Sequence, residues 1–261
     1  MSGLQGKVAF VGGGSKGIGL ACARRLAREG ADVFLAASDA GHLAGAAEKI
    51  TAGTGRKAAF HAGDLRSLKG CRDVVSAALN EFGGCDILVN SAGATKGGIF
   101  PDQPDEDMLD GFALKFHGAV RLARLLWPEL KKAKGTVINI VGGFARTPAA
   151  DFMVGGAVNA ALANFSKALA DKGLRDDVNV NWIHPGLTVT ERLEEIFVTR
   201  AAQQGKTRDE IEAESIAAEG LRRLGQPQDV AELVAFLCSP QARHIHGTAI
   251  TVDGGGTKGY W

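Results

Sequence analysis

The residues best suited to chemistry form a glycine-rich segment between an apolar run and an amphipathic stretch. The segment is Gly12-Gly13-Gly14-Ser15-Lys16-Gly17-Ile18-Gly19, and it follows the run Val8–Val11. Glycines allow positive φ angles and let main-chain N–H groups approach a pyrophosphate, which the N-terminus of the following helix attracts. A glycine string alone is weak support, but one directly after a strand is stronger. The segment therefore predicts a dinucleotide phosphate site.

Two further groups of residues could take part in acid–base or anion chemistry. His184 precedes Pro185-Gly186 at the carboxyl end of an apolar run, where open α/β sheets bind ligands. Its imidazole could act as a general acid or base near neutral pH, or it could only bound the cofactor site sterically. Asp151 and Arg146 lie in a loop, where they could serve as a base and an anion anchor or remain solvated charges.

Short apolar runs alternate with longer amphipathic stretches along the chain. The apolar runs are Val8–Val11, Val33–Ala37, Ala58–Ala62, Ile87–Asn90, Thr136–Val141, Val178–Ile183 and Ala249–Val252. The amphipathic stretches are Gly17–Glu29, His42–Ala52, Leu68–Phe82, Glu106–Lys132, Gly156–Lys172 and Gln228–Leu237. Runs that are almost wholly hydrophobic are typical of strands covered on both faces. Their alternation with helices predicts an α/β fold built on one doubly wound parallel sheet.

The sequence contains no linker that would divide this sheet into two units, so residues 1–261 are predicted to form a single domain. The charged stretch Glu191–Gly220 lies between the last two strands. It is predicted to be a helical insertion that acts as a lid over a site.

The end of the second apolar run should determine which nicotinamide cofactor binds. A carboxylate there would accept hydrogen bonds from a ribose 2′-hydroxyl and repel a 2′-phosphate. This chain has Ala37-Ser38 instead, and Asp39 follows as a helix cap. Lys16 could neutralise a 2′-phosphate, although it could also be an ordinary solvated lysine. These residues predict NADP(H) in preference to NAD(H).

Composition argues against several classes of partner. The chain has 30 basic and 29 acidic residues, a net charge of +1. It therefore lacks the excess of positive charge that binding to nucleic acid or an anionic membrane requires. The four cysteines form no C-x-x-C pair, so reduced thiols are expected rather than disulfides or zinc ligands. The first apolar run is too short for a signal peptide or a membrane span, and a cytoplasmic location is expected.

Several motifs in order identify a family. The pattern G-x-x-x-G-x-G occurs at Gly13 to Gly19. It is followed by an Asp-Leu pair at Asp64-Leu65, an Asn-Ser-Ala-Gly segment at Asn90 to Gly93, and a Pro-Gly turn with a threonine at Pro185 to Thr190. Two C-terminal motifs lie at Arg223 to Pro227 and Val252 to Gly255. Together they resemble the short-chain dehydrogenase/reductase family over essentially the whole chain. The residues that this resemblance and the phosphate loop assign to the cofactor are Gly13, Ser15, Lys16, Gly17, Ile18, Gly19, Ser38, Asp64, Leu65, Asn90, Ala92, Gly93, Pro185, Gly186 and Thr190.

The chain departs from that family at all four catalytic positions. In the family, a tyrosine lowered in pKa by a lysine is the acid, a serine polarises the substrate carbonyl, and an asparagine holds a water. The serine and tyrosine positions are Gly142 and Gly155 here, the lysine position is Asn159, and the asparagine position is Lys115. The only tyrosine is Tyr260. The family's usual mechanism therefore cannot operate.

Other residues must supply any proton route. Lys115 and Asn159 look exchanged relative to the family, so an ammonium of lowered pKa could still lie beneath the nicotinamide; alternatively, Lys115 is an ordinary helix lysine that snorkels or pairs with a carboxylate. His184 and Asp151 are the other catalytic candidates. Gly142 and Gly155 should leave space for a bulkier substrate or for a side chain from elsewhere, such as Tyr260 of a neighbouring subunit.

Three functions remain open on these grounds. The first is an NADP(H)-dependent oxidoreductase acting on a small-molecule carbonyl or alcohol by a non-standard proton route. The second is a non-redox lyase, isomerase or C–C hydrolase on the same fold, and the third is a catalytically silent NADP(H)-binding subunit. The resemblance also implies a homotetramer or homodimer formed through two helices. The small residues expected to allow their close approach are Ala157, Ala160, Ala161, Ala163, Ala168 and Ala170.

Overall fold

The protein folds around one parallel β-sheet. In the computed structural model, which describes residues 3–93 and 95–258, seven strands follow the order β3-β2-β1-β4-β5-β6-β7. The strands are β1 Val8–Gly12, β2 Asp32–Ala37, β3 Ala58–Ala62, β4 Ile87–Asn90, β5 Thr136–Ile140, β6 Asn179–Pro185 and β7 Ala249–Val252. Every neighbouring pair is parallel, and the order reverses between β1 and β4. The predicted doubly wound α/β fold is confirmed.

Helices connect consecutive strands. They are α1 Gly17–Arg28, α2 Ala40–Thr54, α3 Leu68–Phe82, α4 Asp105–Gly111, α5 Gly118–Ala133, α6 Met153–Asp176, α7 Glu191–Gln204, α8 Arg208–Glu219 and α9 Pro227–Leu237. Among the helices of the described residues, none is long and apolar enough to cross a membrane.

Both faces of the sheet are covered, and adjacent residues of one strand enter different cores. On β1, Phe10 packs in one hydrophobic cluster while Val11 packs in the other. The edge strand β3 is an exception to the expectation that strands are covered on both faces. Its Phe60 is 39% exposed, and β3 is an edge strand of the sheet that the described residues form.

The helix predicted over Glu106–Lys132 is not regular along its length. A π-helical turn, Phe112–His117, separates α4 from α5. A π-turn inserts an extra residue into the helical repeat and is frequent at functional sites. It therefore changes which way Lys115 is directed relative to a regular helix.

The charged insertion forms two helices, α7 and α8, which share a small hydrophobic core around Phe197 and Ile211. Thr190 caps α7 and Thr207 caps α8, each accepting a hydrogen bond from a main-chain N–H of the first turn. The insertion is helical, as predicted, and its role as a lid stays a prediction.

The face of α6 that was assigned to subunit contact is only partly available. Ala157, Ala160 and Ala168 are exposed, as contact between copies would require. Ala170 is fully buried within the chain, where its carbonyl oxygen lies 2.8 Å from His246 Nε2. Ala170 therefore cannot contribute to an interface, and that part of the prediction is wrong.

Candidate active site

The phosphate loop lies between β1 and α1 and depends on glycine at two close approaches. Gly13 has a φ of +79°, and a Cβ there would lie 2.6 Å from the Ala92 nitrogen. A Cβ on Gly19 would lie 2.1 Å from the Gly13 carbonyl oxygen. Lys16 precedes α1 without capping it through its side chain, which leaves the helix N–H groups free to face an anion. Ser15 belongs to the same loop, and Ile18 lies in the first turn of α1.

The residues expected to read the ribose cluster at the end of β2. Ser38 and Asp39 are exposed, and Asp39 Oδ1 accepts a 2.7 Å hydrogen bond from the His42 N–H as the cap of α2. This bond lowers the pKa of Asp39, and the charge of Lys16 contributes a smaller effect. Lys16 therefore acts on the region at the end of β2, and its role in neutralising a 2′-phosphate stays a prediction.

The cofactor residues assigned near the ends of β3 and β4 differ in exposure and in hydrogen bonding. Asp64 is exposed and accepts a hydrogen bond from the Arg66 N–H. The Leu65 side chain is in the core, at 3% exposure, so only its main chain remains for contact with a ligand. Asn90 donates from Nδ2 to Asn139 Oδ1 at 2.8 Å and thereby links β4 to β5. Gly93 is exposed beyond the end of β4.

The segment that follows β6 carries further cofactor residues assigned from the sequence. The Gly186 N–H donates to the Val252 carbonyl oxygen, and a Cβ on Gly186 would lie 2.7 Å from the Asp253 Cβ, so the turn after Pro185 requires glycine. Thr190 Cγ2 would lie 3.3 Å from a Cβ on Gly17. The phosphate loop and the start of α7 therefore approach each other closely.

Gly142 adopts a conformation that a serine would adopt only with strain. Its φ is +120° and its ψ is 147°, a region occupied almost only by glycine. A Cβ there would also lie 3.0 Å from Asn159 Nδ2. The expected open space beside Gly142 is therefore bounded by the Asn159 amide.

The position next to Gly155 is filled by an aromatic ring from the same chain. A Cβ on Gly155 would lie 1.9 Å from Phe152 Cε1 and 2.1 Å from Cζ. Phe152 in turn packs on Phe144, with ring centroids 5.0 Å apart. The expectation of space for a bulkier substrate at Gly155 is wrong, because Phe152 occupies it. The other proposed donor, Tyr260, lies outside the described residues.

Lys115 is directed into the cleft rather than into solvent. Its ammonium donates a hydrogen bond to the Val141 carbonyl oxygen, directly before Gly142, and its aliphatic stem lies against Gly93. Burial, with a smaller contribution from the neighbouring charge of Arg192, lowers the pKa of Lys115 to about 8. Within the described ranges, Lys115 has no carboxylate partner, so it is not the ordinary paired lysine of the alternative interpretation.

Asn159 and His184 lie on either side of Gly142. Asn159 is 4% exposed, and its Oδ1 has no hydrogen-bond partner among the described residues. His184 Nδ1 lies 2.8 Å from the Gly142 carbonyl oxygen. Because a carbonyl only accepts, Nδ1 carries the proton and Nε2 is the free acceptor of the neutral ring. Burial lowers the pKa of His184, with smaller effects from Arg146 and Lys115, so the ring is neutral at pH 7.

Asp151 does not join this group through its side chain. The side chain is exposed and forms no ion pair or hydrogen bond with the rest of the described structure. Its carbonyl oxygen accepts from the Gly98 N–H at 3.2 Å, beside the bridge between Gly98 and Phe152. Asp151 therefore positions the loop that carries Phe152.

Arg192 was not identified from the sequence. It follows Thr190 in the first turn of α7 and donates a hydrogen bond from Nη2 to the Thr95 carbonyl oxygen. Burial lowers its pKa. A signal was available, because a cation in the first turn of a helix opposes the helix dipole and needs another reason to be there.

The described residues form neither a disulfide nor a three-ligand metal cluster. All four cysteines are free thiols, and burial raises the pKa of Cys22 and Cys85 to about 12. In the part of the chain that the structure describes, no three His, Cys, Asp or Glu side chains are placed to hold a metal.

The residues present fit a dinucleotide. The loop at Gly13 and Gly19 has no room for side chains and leaves helix N–H groups open toward an anion. The unpaired, buried Asn159 Oδ1 is an acceptor that a ribose hydroxyl could satisfy, because buried polar atoms rarely remain without a partner.

Comparison with known proteins agrees with this assignment. The sequence profile of the family described as enoyl-(acyl carrier protein) reductase matches residues 13–257. An uncharacterised oxidoreductase of Mycobacterium tuberculosis is 35% identical, with 97% of this chain and 92% of the relative aligned. The 3-oxoacyl-[acyl-carrier-protein] reductase of Vibrio cholerae is 34% identical, with 97% and 98% aligned.

A solved structure is similar over the whole fold. The L-sorbose reductase of Gluconobacter frateurii, complexed with NADPH and L-sorbose, has a TM-score of 0.94 and 34% identity, and the match covers 99% of both chains. With its glycine loop, its strand order and these relatives, the chain belongs to the short-chain dehydrogenase/reductase family of oxidoreductases.

Proposed function

We propose that this protein is an NADP(H)-dependent oxidoreductase acting on a small-molecule carbonyl or alcohol, with Lys115 as the acid–base residue in place of the family's tyrosine. The observation that carries the proposal is the position of the Lys115 ammonium on the Val141 carbonyl, beside Gly142 and Gly93. An acid or base is most effective when its pKa is near the working pH, and that of Lys115 is about 8.

The cofactor residues support NADP(H). Gly13, Gly19 and the start of α1 would hold the pyrophosphate, and Asn159 Oδ1 would accept a ribose hydroxyl. The charge of Lys16 acts on Asp39 just beyond the end of β2, and that carboxylate already caps α2. The L-sorbose reductase with which this chain aligns is complexed with NADPH. When bound, the nicotinamide supplies or accepts the hydride.

Lys115 can perform the proton step with the donors it retains. An ammonium has three N–H donors, and one of them is used on the Val141 carbonyl. A second can donate to the oxygen of a substrate carbonyl and transfer its proton as that oxygen becomes an alkoxide. In the reverse direction, the neutral amine accepts the alcohol proton. His184 and Asn159 would position Gly142 and the ribose rather than move protons.

A catalytically silent NADP(H)-binding subunit is the second candidate. The Phe152 ring in the tyrosine's place and the Asn159 amide beside Gly142 favour it, because they fill the two positions from which the family's acid and carbonyl donor project.

Titration with NADPH and NADH, followed by a carbonyl screen, separates these candidates. We expect NADPH to bind more tightly than NADH and to be oxidised by at least one carbonyl compound. Lys115→Met should abolish the oxidation and leave NADPH binding intact, whereas the control Lys69→Met should change neither. NADPH binding without turnover of any carbonyl would leave the silent subunit. Failure of both nucleotides to bind would refute both candidates.

We also propose that α5 and α6 form a homodimer or homotetramer interface, as the exposed Ala157, Ala160 and Ala168 allow. Ala160→Arg would place a charge on that face. Light scattering should then show dissociation to monomers, and a wild-type protein that is already monomeric would refute the interface.

A further inference from the structure

Three cations near the segments that carry Gly142 and Thr95 have no ion-pair partner among the described residues, and Glu195 acts on Arg192 only at longer range. Lys115 donates to the Val141 carbonyl, Arg192 to the Thr95 carbonyl, and Arg146 Nη1 lies 3.4 Å from Thr251 Oγ1. All three are partly buried. Over residues 3–93 and 95–258, none of them has an acidic oxygen within 4.0 Å, although 16 other lysines and arginines do.

Lys115 and Arg192 meet at one short loop. The stem of Lys115 lies against Gly93, at 3.0 Å from a Cβ built there, and Arg192 binds the carbonyl of Thr95 two positions later. Two residues span at most about 7 Å of chain. The effect of Arg192 on the pKa of Lys115 is in keeping with this proximity.

Such a pair of positive charges is unfavourable without an anion. Partly desolvated like charges repel each other, and buried charges in proteins are normally paired. Carbonyl oxygens satisfy one N–H on each side chain but do not neutralise its charge. The planar fork of Arg192 retains donors suited to a carboxylate.

We propose that the substrate is an oxo acid, whose carboxylate is bound by Arg192 while its nearby carbonyl oxygen faces Lys115. This inference rests on the proposed oxidoreductase function. The contacts of the two side chains with Gly93 and Thr95 favour a 2-oxo or 3-oxo acid over a compound whose charge lies far from the carbonyl. The rings of Phe144 and Phe152, next to Gly155, offer an apolar surface for the rest of the substrate.

The reaction balances with the groups named. The carbonyl carbon gains a hydride from the reduced nicotinamide, and the carbon–oxygen π electrons become an alkoxide lone pair. The alkoxide takes a proton from Lys115, which water then restores. The products are the hydroxy-acid anion and the oxidised nicotinamide.

Matched pairs of keto acids and their methyl esters test this proposal. Benzoylformate with methyl benzoylformate and 3-oxobutanoate with its methyl ester would be assayed with NADPH for the wild type, Arg192→Gln and Arg200→Gln. Arg200 is the control because it lies on the same helix, is exposed, and has no ion pair among the described residues. NADPH affinity would be measured for each protein, and benzoate and benzamide would be compared as thermal stabilisers at constant ionic strength.

We expect the acids to be preferred over the esters, and Arg192→Gln to lower kcat/KM for the acids by about 10- to 100-fold, the range for a charge-assisted hydrogen bond. The esters should lose much less than the acids, because they lack the carboxylate and feel Arg192 only through its smaller effect on the pKa of Lys115. The NADPH affinity and the Arg200→Gln protein should be unaffected. Equal use of acids and esters by the wild type would overturn the inference and leave the oxidoreductase function standing. A fall in NADPH affinity of similar size in Arg192→Gln would overturn it too, by assigning the anion to the cofactor pyrophosphate.

The thermal measurement separates failure of the proposed function from failure of this inference. One outcome is that no compound is reduced, that benzoate but not benzamide stabilises the wild type, and that benzoate does not stabilise Arg192→Gln. In that case the anion site stands and the redox function fails. If benzoate gives no stabilisation beyond that of benzamide, the anion site is refuted whatever the turnover.

Discussion

Replacing Lys115 with methionine should change how the stability of the protein depends on pH. The variant keeps an unbranched apolar stem against Gly93 and removes the ammonium. The pKa of Lys115 falls from an ordinary value of 10.5 to about 8 in the folded protein. At about 1.4 kcal/mol per pH unit, this difference corresponds to about 3 kcal/mol of destabilisation by the buried charge.

The direction of the effect follows from proton binding. The unfolded chain keeps the Lys115 proton up to about pH 10.5, whereas the folded protein releases it near pH 8. Between these values the unfolded state binds more protons, so the free energy of unfolding rises with pH. Below pH 8 the full penalty is present. Lys115→Met should therefore gain relative to the wild type below pH 8 and lose that advantage by about pH 10.5.

Urea unfolding at half-unit steps from pH 7 to 10.5 measures this difference. Subtracting the curve of Lys115→Met from that of the wild type isolates one lysine from the other titrating groups. The loss of the hydrogen bond to the Val141 carbonyl shifts the difference uniformly and does not affect its slope. Lys69→Met is the matched control because the Lys69 side chain is 86% exposed. A wild-type minus Lys115→Met difference that stays constant across this range would refute the reasoning.

Three further predictions concern the residues around Gly142. Gly142 has a φ of +120°, so Gly142→Ala should lower the unfolding free energy measured in urea by about 1–3 kcal/mol. The control Gly143→Ala should change it little, and equal losses in the two variants would contradict this reasoning. Gly155→Ala should lower the unfolding free energy by about 1–3 kcal/mol, because the added methyl group meets the Phe152 ring. Adding Phe152→Ala should remove that loss, so the two substitutions should not be additive in the double variant. Additive losses would contradict the contact. The pKa of His184 is lowered, so the unfolding free energy of the wild type should rise with pH up to about 6.5. His184→Asn keeps a donor for the Gly142 carbonyl and should show a smaller rise. The same dependence of unfolding free energy on pH in both proteins would refute this prediction.

The sequence predicted the scaffold well because local signals agreed there. The run Ala58–Ala62 and the stretch Leu68–Phe82 have the bounds of β3 and α3, since apolar periodicity, the Ser67 cap and the left-handed Gly83 mark where these elements begin and end. The phosphate loop was predictable for a similar reason, because close main-chain approach admits only glycine at Gly13.

The interior of the site was less predictable because it depends on side-chain directions. An absent side chain at Gly155 suggests a vacancy, yet the Phe152 ring three residues earlier fills it. The π-turn at Phe112–His117 leaves no mark in the hydrophobic periodicity, although it sets the direction of Lys115. Arg192 meets Thr95 only through the fold, since the two residues are far apart in sequence.

The pH dependence of NADPH oxidation most directly tests whether Lys115 supplies the proton. Turnover of a keto acid would be measured from pH 6 to 10 for the wild type, Lys115→Met and Lys69→Met. We predict a wild-type rate that falls as Lys115 loses its proton, with a midpoint near or above pH 8, the same profile for Lys69→Met, and no turnover by Lys115→Met despite normal NADPH binding. Full turnover by Lys115→Met with an unchanged pH profile would contradict the account.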